Sequence, residues 1–77
     1  ANFANIYGSN ETSFHYPGYV GRHLLVTNLS NGKQIKVKIV DIGPVDDLLD
    51  IQRDAFQAIG GSLSSGYIPS VSVQLVD

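Results

Sequence analysis

The sequence predicts a mainly β domain, built as a small closed sheet with one short helix. The chain has 77 residues and no cysteine, so a domain that buries only about 60% of its unfolded surface has no disulfides to stabilise it. Closing a sheet on itself removes the unpaired strand edges. In addition, residues 34–40 alternate apolar and polar side chains directly after an Asn31-Gly32 turn, which is typical of a β-hairpin.

Four segments are predicted to be strands, each bounded by turn residues. They are residues 3–7, 23–29, 34–40 and 71–75. Residues 10–21 are predicted to form an irregular surface loop, because they combine aromatic side chains with a Pro-Gly pair. We find no internal repeat and no second domain, so residues 1–77 are expected to form a single domain.

The strand predicted at residues 34–40 ends at a lone acid. Ile35, Val37 and Ile39 are predicted to lie on its buried face, because they alternate with two lysines. Asp41 follows with the parity of that buried face, just before a Gly43-Pro44 corner. It is therefore expected either to cap the strand end by accepting hydrogen bonds from turn amides or to lie at the rim of the sheet's interior.

One helix is predicted at residues 51–59. Asp50 is expected to be its N-cap, because an aspartate there accepts hydrogen bonds from the first free amides. Gly60 and Gly61 follow at the point where a left-handed C-cap is needed.

Composition argues against several classes of function. The net charge is −2 and Lys plus Arg total five, which is too little positive charge to neutralise a nucleic-acid backbone. No apolar run approaches the roughly 18 residues of a membrane span. Without cysteine there is no thiolate metal site. We therefore expect no nucleic-acid or membrane partner, no cofactor and no metal.

Several short motifs, taken in order, resemble one family. The chain is similar to the double-psi β-barrel domains, above all to their rare-lipoprotein-A-like, expansin-like and barwin-like branches. The motifs are Val26-Thr27-Asn28-Leu29, Asn31-Gly32, Val40-Asp41, Gly43-Pro44, Leu49-Asp50-Ile51 and Ala55-Phe56. The resemblance implies a six-stranded closed barrel with one short helix, a secreted or periplasmic location, and a groove for wall polysaccharide such as peptidoglycan, chitin or cellulose.

The resemblance also implies a pair of catalytic candidates. The family's functional acid corresponds to Asp41, and its histidine corresponds to His15, six residues before Gly21. The two side chains are expected to lie near each other across the groove, where they can protonate a glycosidic oxygen or polarise a sugar hydroxyl.

Departures from the family pattern favour binding over cleavage. Val40 and Ile42 stand where the bacterial wall-cleaving members usually have Asn and Arg, and expansin-like members tolerate apolar residues there. Gly43 and Val45 stand where many relatives have disulfide cysteines. Gln52 replaces a serine of the family's helix start, which predicts a weaker helix cap.

Four further residues are predicted to contact a ligand. Tyr7, Tyr16 and Tyr19 are candidate stacking platforms for sugar rings, although tyrosines in so small a barrel also serve to plug its ends. Asp50 is a weaker candidate, because an N-cap role alone explains an aspartate at that position.

Three functions are therefore compared. The first is an expansin-like secreted module that binds or loosens wall glycan through Asp41 without net hydrolysis, acting as a monomer. The second is a lytic transglycosylase or glycosidase that uses Asp41 as general acid with His15 assisting. The third is a protein-binding module, such as a cysteine-protease inhibitor or a defence or effector protein. Inverting hydrolysis needs two carboxylates, and the sequence offers only Glu11 as a free second one.

Overall fold

A computed structural model describes residues 1–43 and 47–77. Within these ranges the chain forms six strands and one short helix, two strands more than the four predicted from the residues and the number that the family resemblance implies. They are β1 (Asn2–Ala4), β2 (Glu11–Phe14), β3 (His23–Asn28), β4 (Gln34–Ile42), β5 (Asp50–Gln52), α1 (Arg53–Ala58) and β6 (Val71–Leu75). Part of the Gly43-Pro44 corner, and Val45, lie outside the described residues. No helix in the described part of the chain is long and apolar enough to cross a membrane.

The strands form one mixed sheet in the order β1-β5-β2-β4-β3-β6. Two pairs are parallel, β1 with β5 and β2 with β4, and the other neighbours are antiparallel. The fold is mainly β. No ladder joins β1 to β6 within residues 1–43 and 47–77, so the sheet is not closed strand to strand. A single antiparallel bridge links Asn2 to Tyr67, and Ala1 and Ile68 exchange two backbone hydrogen bonds of 2.7 and 2.8 Å.

The alternation predicted for β4 is confirmed. Val37 and Ile39 are buried, while Lys36 and Lys38 are exposed on the opposite face. Burying each of these aliphatic side chains contributes roughly 1.5 to 3 kcal/mol. The strand continues to Ile42, two residues beyond the predicted end. The turn before it is also where the sequence predicts it, with Gly32 at a φ of +75°.

The prediction of an irregular loop at residues 10–21 is wrong for its first part. Residues Glu11–Phe14 form β2, which lies in the middle of the sheet. Thr12 and Ser13 are buried there despite their hydroxyl groups. The Thr12 hydroxyl donates to the Asp50 carbonyl at 3.0 Å and to the Ser13 carbonyl at 2.8 Å. Satisfied hydrogen bonds remove most of the penalty of burying a polar group.

The predicted start of the helix is also wrong. Asp50 and Ile51 belong to β5, and α1 begins only at Arg53. The N-cap is Gln52, whose side-chain Oε1 accepts hydrogen bonds from the Asp54 amide at 2.8 Å and from the Ala55 amide at 3.4 Å. The helix therefore has six residues, fewer than the predicted two and a half turns.

The end of the helix follows the prediction. Ile59 is the C-cap, and Gly60 follows with a φ of +90°, the left-handed conformation that glycine adopts without strain. Gly61 then packs directly against the ring of Phe56. The same turn is fixed from β3, because the buried Asn28 side chain donates to the Ile59 carbonyl at 2.7 Å.

The hydrophobic core lies between the inner face of the sheet and α1. Phe56 is fully buried at its centre, and its ring lies 5.6 Å from that of Phe3. The other fully or almost fully buried apolar side chains are Leu24, Val26, Val37, Ile39, Leu49, Ile51, Ala55 and Ile59. Because β4 and β2 both leave this core at the same end, the strand-end residues of the two strands emerge together.

Candidate functional site

Asp41 lies at the end of β4 and is exposed to solvent. It faces Ser13 of β2 after a register shift in that strand pair. Its Oδ1 accepts a hydrogen bond from the Ile42 amide at 2.8 Å, and its Oδ2 accepts one from the Tyr7 hydroxyl at 3.3 Å. The carboxylate is thus held in orientation by two donors while it remains accessible to a ligand.

Tyr7 connects this carboxylate to its surroundings. Partial burial raises the pKa of the Tyr7 hydroxyl above its ordinary value; a hydrogen bond with Ser13 opposes the rise, and the negative charges of Asp41 and Asp50 add to it. A phenol with a raised pKa stays protonated at neutral pH. Tyr7 therefore acts as a hydrogen-bond donor to Asp41 over the whole physiological range.

Asp50 joins the same region from the other side of β2. Its backbone amide donates to the Ser13 hydroxyl at 3.1 Å, and its charge reaches Tyr7. Asp41 and Asp50 lie on β4 and β5, the two strands that flank β2. Two strand spacings separate their backbones by about 10 Å. Tyr7, Asp41 and Asp50, which we call the acidic rim, are therefore brought together around Ser13.

His15 lies two residues beyond Ser13, which pairs with Asp41 in the sheet. It follows the last residue of β2, and its backbone amide donates to the Leu48 carbonyl at 3.0 Å. Its ring meets the ring of Tyr16 edge to face at 4.7 Å. The residue across from Asp41 in the sheet is Ser13, two positions earlier.

The remaining predicted tyrosines line a separate apolar cavity of about 450 Å³. Tyr16 is 54% exposed and Tyr19 is half-buried, and both rings meet Phe14 edge to face at 5.5 and 5.7 Å. Adjacent residues of a strand project to opposite faces, so Phe14 and Ser13 lie on opposite sides of β2. Tyr16 and Tyr19 are thus near the same strand end as the acidic rim but on its other side.

Two exposed aliphatic side chains flank the acidic rim. Ile6 precedes Tyr7 and is 80% exposed, while Ile42 follows Asp41 and is 52% exposed. Exposed large apolar residues next to oriented polar groups are a common composition of binding surfaces.

The structure adds two residues that the sequence did not indicate. Ser13 pairs with Asp41 of β4 in the sheet and contacts β5 and Tyr7 through its hydroxyl, and Phe14 forms one wall of the apolar cavity. A single serine and a single phenylalanine in a segment interpreted as a loop give no local signal of either role. No group of three or more His, Asp or Glu side chains suited to a metal ion occurs in residues 1–43 and 47–77.

Comparison with known proteins does not extend this description. The sequence matches no protein-family model, and it finds no match among curated proteins. The double-psi resemblance therefore depends on the sequence motifs alone.

Proposed function

We propose that this protein is a secreted or periplasmic module of expansin-like type that binds wall polysaccharide without net hydrolysis. The observation that carries the proposal is the accessible Asp41 carboxylate, oriented at a strand end by the Tyr7 hydroxyl and the Ile42 amide. An oriented, accessible carboxylate accepts hydrogen bonds from sugar hydroxyls without losing much conformational freedom on binding.

The proposal includes closure of the sheet into a double-psi barrel. Support comes from the segment that leads into β6, which bridges Asn2 through Tyr67 and exchanges two hydrogen bonds with Ala1 through Ile68. These contacts join the segment before β6 to the first residues of the chain, and closure of the sheet would require such a connection. The two parallel pairs formed by strands distant in sequence are compatible with such a barrel.

Sugar binding at the acidic rim would use its polar groups and the apolar surface beside them. Asp41 would accept hydrogen bonds from two neighbouring hydroxyls, and the exposed Ile6 offers apolar surface next to Tyr7. Tyr16, on the other side of β2, would stack on a further sugar of the same chain. Hydrogen bonds made to the protein would replace those between glycan chains, so chains would loosen with no bond cleaved.

The test is co-sedimentation with chitin, cellulose and peptidoglycan. Asp41→Asn keeps the shape of the side chain and removes its charge, so we expect at least fivefold weaker binding, corresponding to about 1 kcal/mol. Asp54→Asn is the matched control, because Asp54 is also exposed and its carboxylate forms an ion pair with Arg53 at 3.9 Å, away from the acidic rim. Equal binding by the wild type and Asp41→Asn to all three polymers would refute the proposal.

The second candidate is glycoside cleavage, and the position of Asp50 favours it. Inverting glycosidases hold two carboxyl groups roughly 6.5 to 9.5 Å apart, and Asp41 and Asp50 lie on the two strands that flank β2, with backbones about 10 Å apart. Glu11 suits the role less well, because it pairs with Lys38, three residues before Asp41 along β4, and lines a different cleft. Mass spectrometry of digested peptidoglycan and glucans would detect anhydro or reducing-end products, and Asp41→Asn and Asp50→Asn should each abolish them.

A further inference from the structure

A polar cleft of about 460 Å³ lies outside the acidic rim and the apolar cavity. Its lining residues are Ser9, Asn10, Glu11, His23, Lys36 and Lys38, and we call it the basic cleft. Lys36 and Lys38 alternate along β4 with the buried Val37 and Ile39. The basic cleft is therefore on the outer face of the sheet.

The register of three strands builds this cleft. Lys38 of β4 lies between Glu11 of β2 and His23 of β3, and it pairs with both. Lys36 lies on the same face two residues away, at a backbone distance of about 7 Å. The two ammonium groups thus rise from one strand in a rigid sheet, so that a single anion can contact both.

The acidic groups near the lysines are already engaged. The Glu11 carboxylate accepts the Gly8 amide at 2.6 Å, and Asp77 pairs with the His23 ring at 2.5 Å. Neither Lys36 nor Lys38 forms an ion pair within 4.0 Å in the described part of the chain. Within these residues the two lysines therefore form no ion pair at contact distance, although Glu11 lines the same cleft and Asp77 interacts electrostatically with Lys36.

Charge is also distributed unevenly over the molecule. Five of the seven acidic residues fall within residues 41–54 of the sequence, whereas two of the five basic residues line the basic cleft. A protein with a net charge of −2 repels anions as a whole. A local cationic cleft on such a protein favours an anion that also makes directed polar contacts.

We infer that the basic cleft binds the anionic group, carboxylate or sulfate, of an acidic polysaccharide. The inference rests on the proposed function and adds to it the chemical class of the glycan. Lys36 and Lys38 hold the anionic group, and Ser9 and Asn10 contribute hydroxyl and amide groups for the sugar hydroxyls. Two lysines are too few for a nucleic-acid backbone, whereas they match one charged sugar at a time.

The experiment titrates the whole chain with three oligosaccharides and follows backbone amide shifts by NMR. The probes are an oligogalacturonate, a sulfated galactan oligosaccharide and a neutral cello-oligosaccharide. We expect one of the two anionic probes to shift the amides of residues 9–11, 23 and 36–38. The double variant Lys36→Gln/Lys38→Gln should weaken that binding on the order of tenfold, since two charge-assisted contacts are lost.

Lys33→Gln is the control for loss of one positive charge outside the cleft, because Lys33 lies in the exposed turn before β4. It should bind like the wild type. Absence of shifts with both anionic probes, or equal weakening by the double variant and by Lys33→Gln, would overturn the inference. The two proposals are tested by different variants. Asp41→Asn should weaken binding of the neutral oligosaccharide, which tests the acidic rim. Lys36→Gln/Lys38→Gln should weaken binding of the anionic oligosaccharide, which tests the basic cleft.

Discussion

The contact between Gly61 and Phe56 makes a sharp test of the packing beneath the site. A Cβ atom added at Gly61 would lie 2.3 Å from Cδ2 and Cε2 of the Phe56 ring and 2.7 Å from the Phe56 carbonyl oxygen. Ordinary contacts begin near 3.4 Å, so the ring would have to move by about 1 Å. It has no room, because Phe56 is fully buried against Phe3.

We therefore expect Gly61→Ala to lower the free energy of unfolding by about 3 kcal/mol, the upper end of the range for overpacking a core. A domain of this size has a total stability of roughly 4 to 12 kcal/mol. The melting temperature should fall by about 12 to 24 °C. Thermal unfolding followed by circular dichroism gives the measurement.

Gly32→Ala is the control for the same substitution. Gly32 has a φ of +75° and nothing within 4 Å of an added Cβ. Gly32→Ala should therefore lower the free energy of unfolding only through backbone strain, by about 1 kcal/mol. If Gly61→Ala were no more destabilising than Gly32→Ala, the close packing of Gly61 on Phe56 would be refuted as the reason for glycine there.

Three further outcomes are expected. Asn28→Ala should lower the free energy of unfolding in urea by about 2 kcal/mol, because the Ile59 carbonyl loses a buried partner. Gln52→Ala should lower it by about 1 kcal/mol through loss of the helix cap. The pKa of Tyr7 is raised, so its contribution to stability is present below the ordinary tyrosine pKa and is lost as the pH rises through the raised value. In an NMR titration, Asp41→Asn should lower the pH at which Tyr7 ionises. An unchanged midpoint would contradict the contact between Tyr7 and Asp41.

The sequence predicted the elements whose signal is local. β4 was predicted because Val37 and Ile39 are buried while the lysines between them are exposed, which gives a clear period of two. Asp41 was predicted as a strand-end acid for the same reason. Gly60 was predicted as the residue after the helix because the left-handed conformation restricts the choice to few residue types.

The elements that were missed depend on distant partners. In β2, Thr12 and Ser13 are polar and yet buried, because β4 and β5 supply their hydrogen bonds, and no alternation marks the strand. Asp50 has the chemistry of an N-cap, but pairing with β1 draws it into the sheet and moves the helix start to Arg53. The contact of Tyr7 with Asp41 spans 34 positions, so spacing alone could not predict it.

The location of β2 has a consequence for how the protein acquires its shape. Residues Glu11–Phe14 occupy an interior position of the sheet, yet their neighbours β4 and β5 are synthesised 20 or more residues later. During synthesis, β2 therefore cannot pair with both of its neighbours until about residue 52 is available, so the N-terminal half of the chain does not form a stable sheet by itself. Assembly governed by such long loop closures is expected to be slow for a chain of this length, and the acidic rim would be among the last features to form.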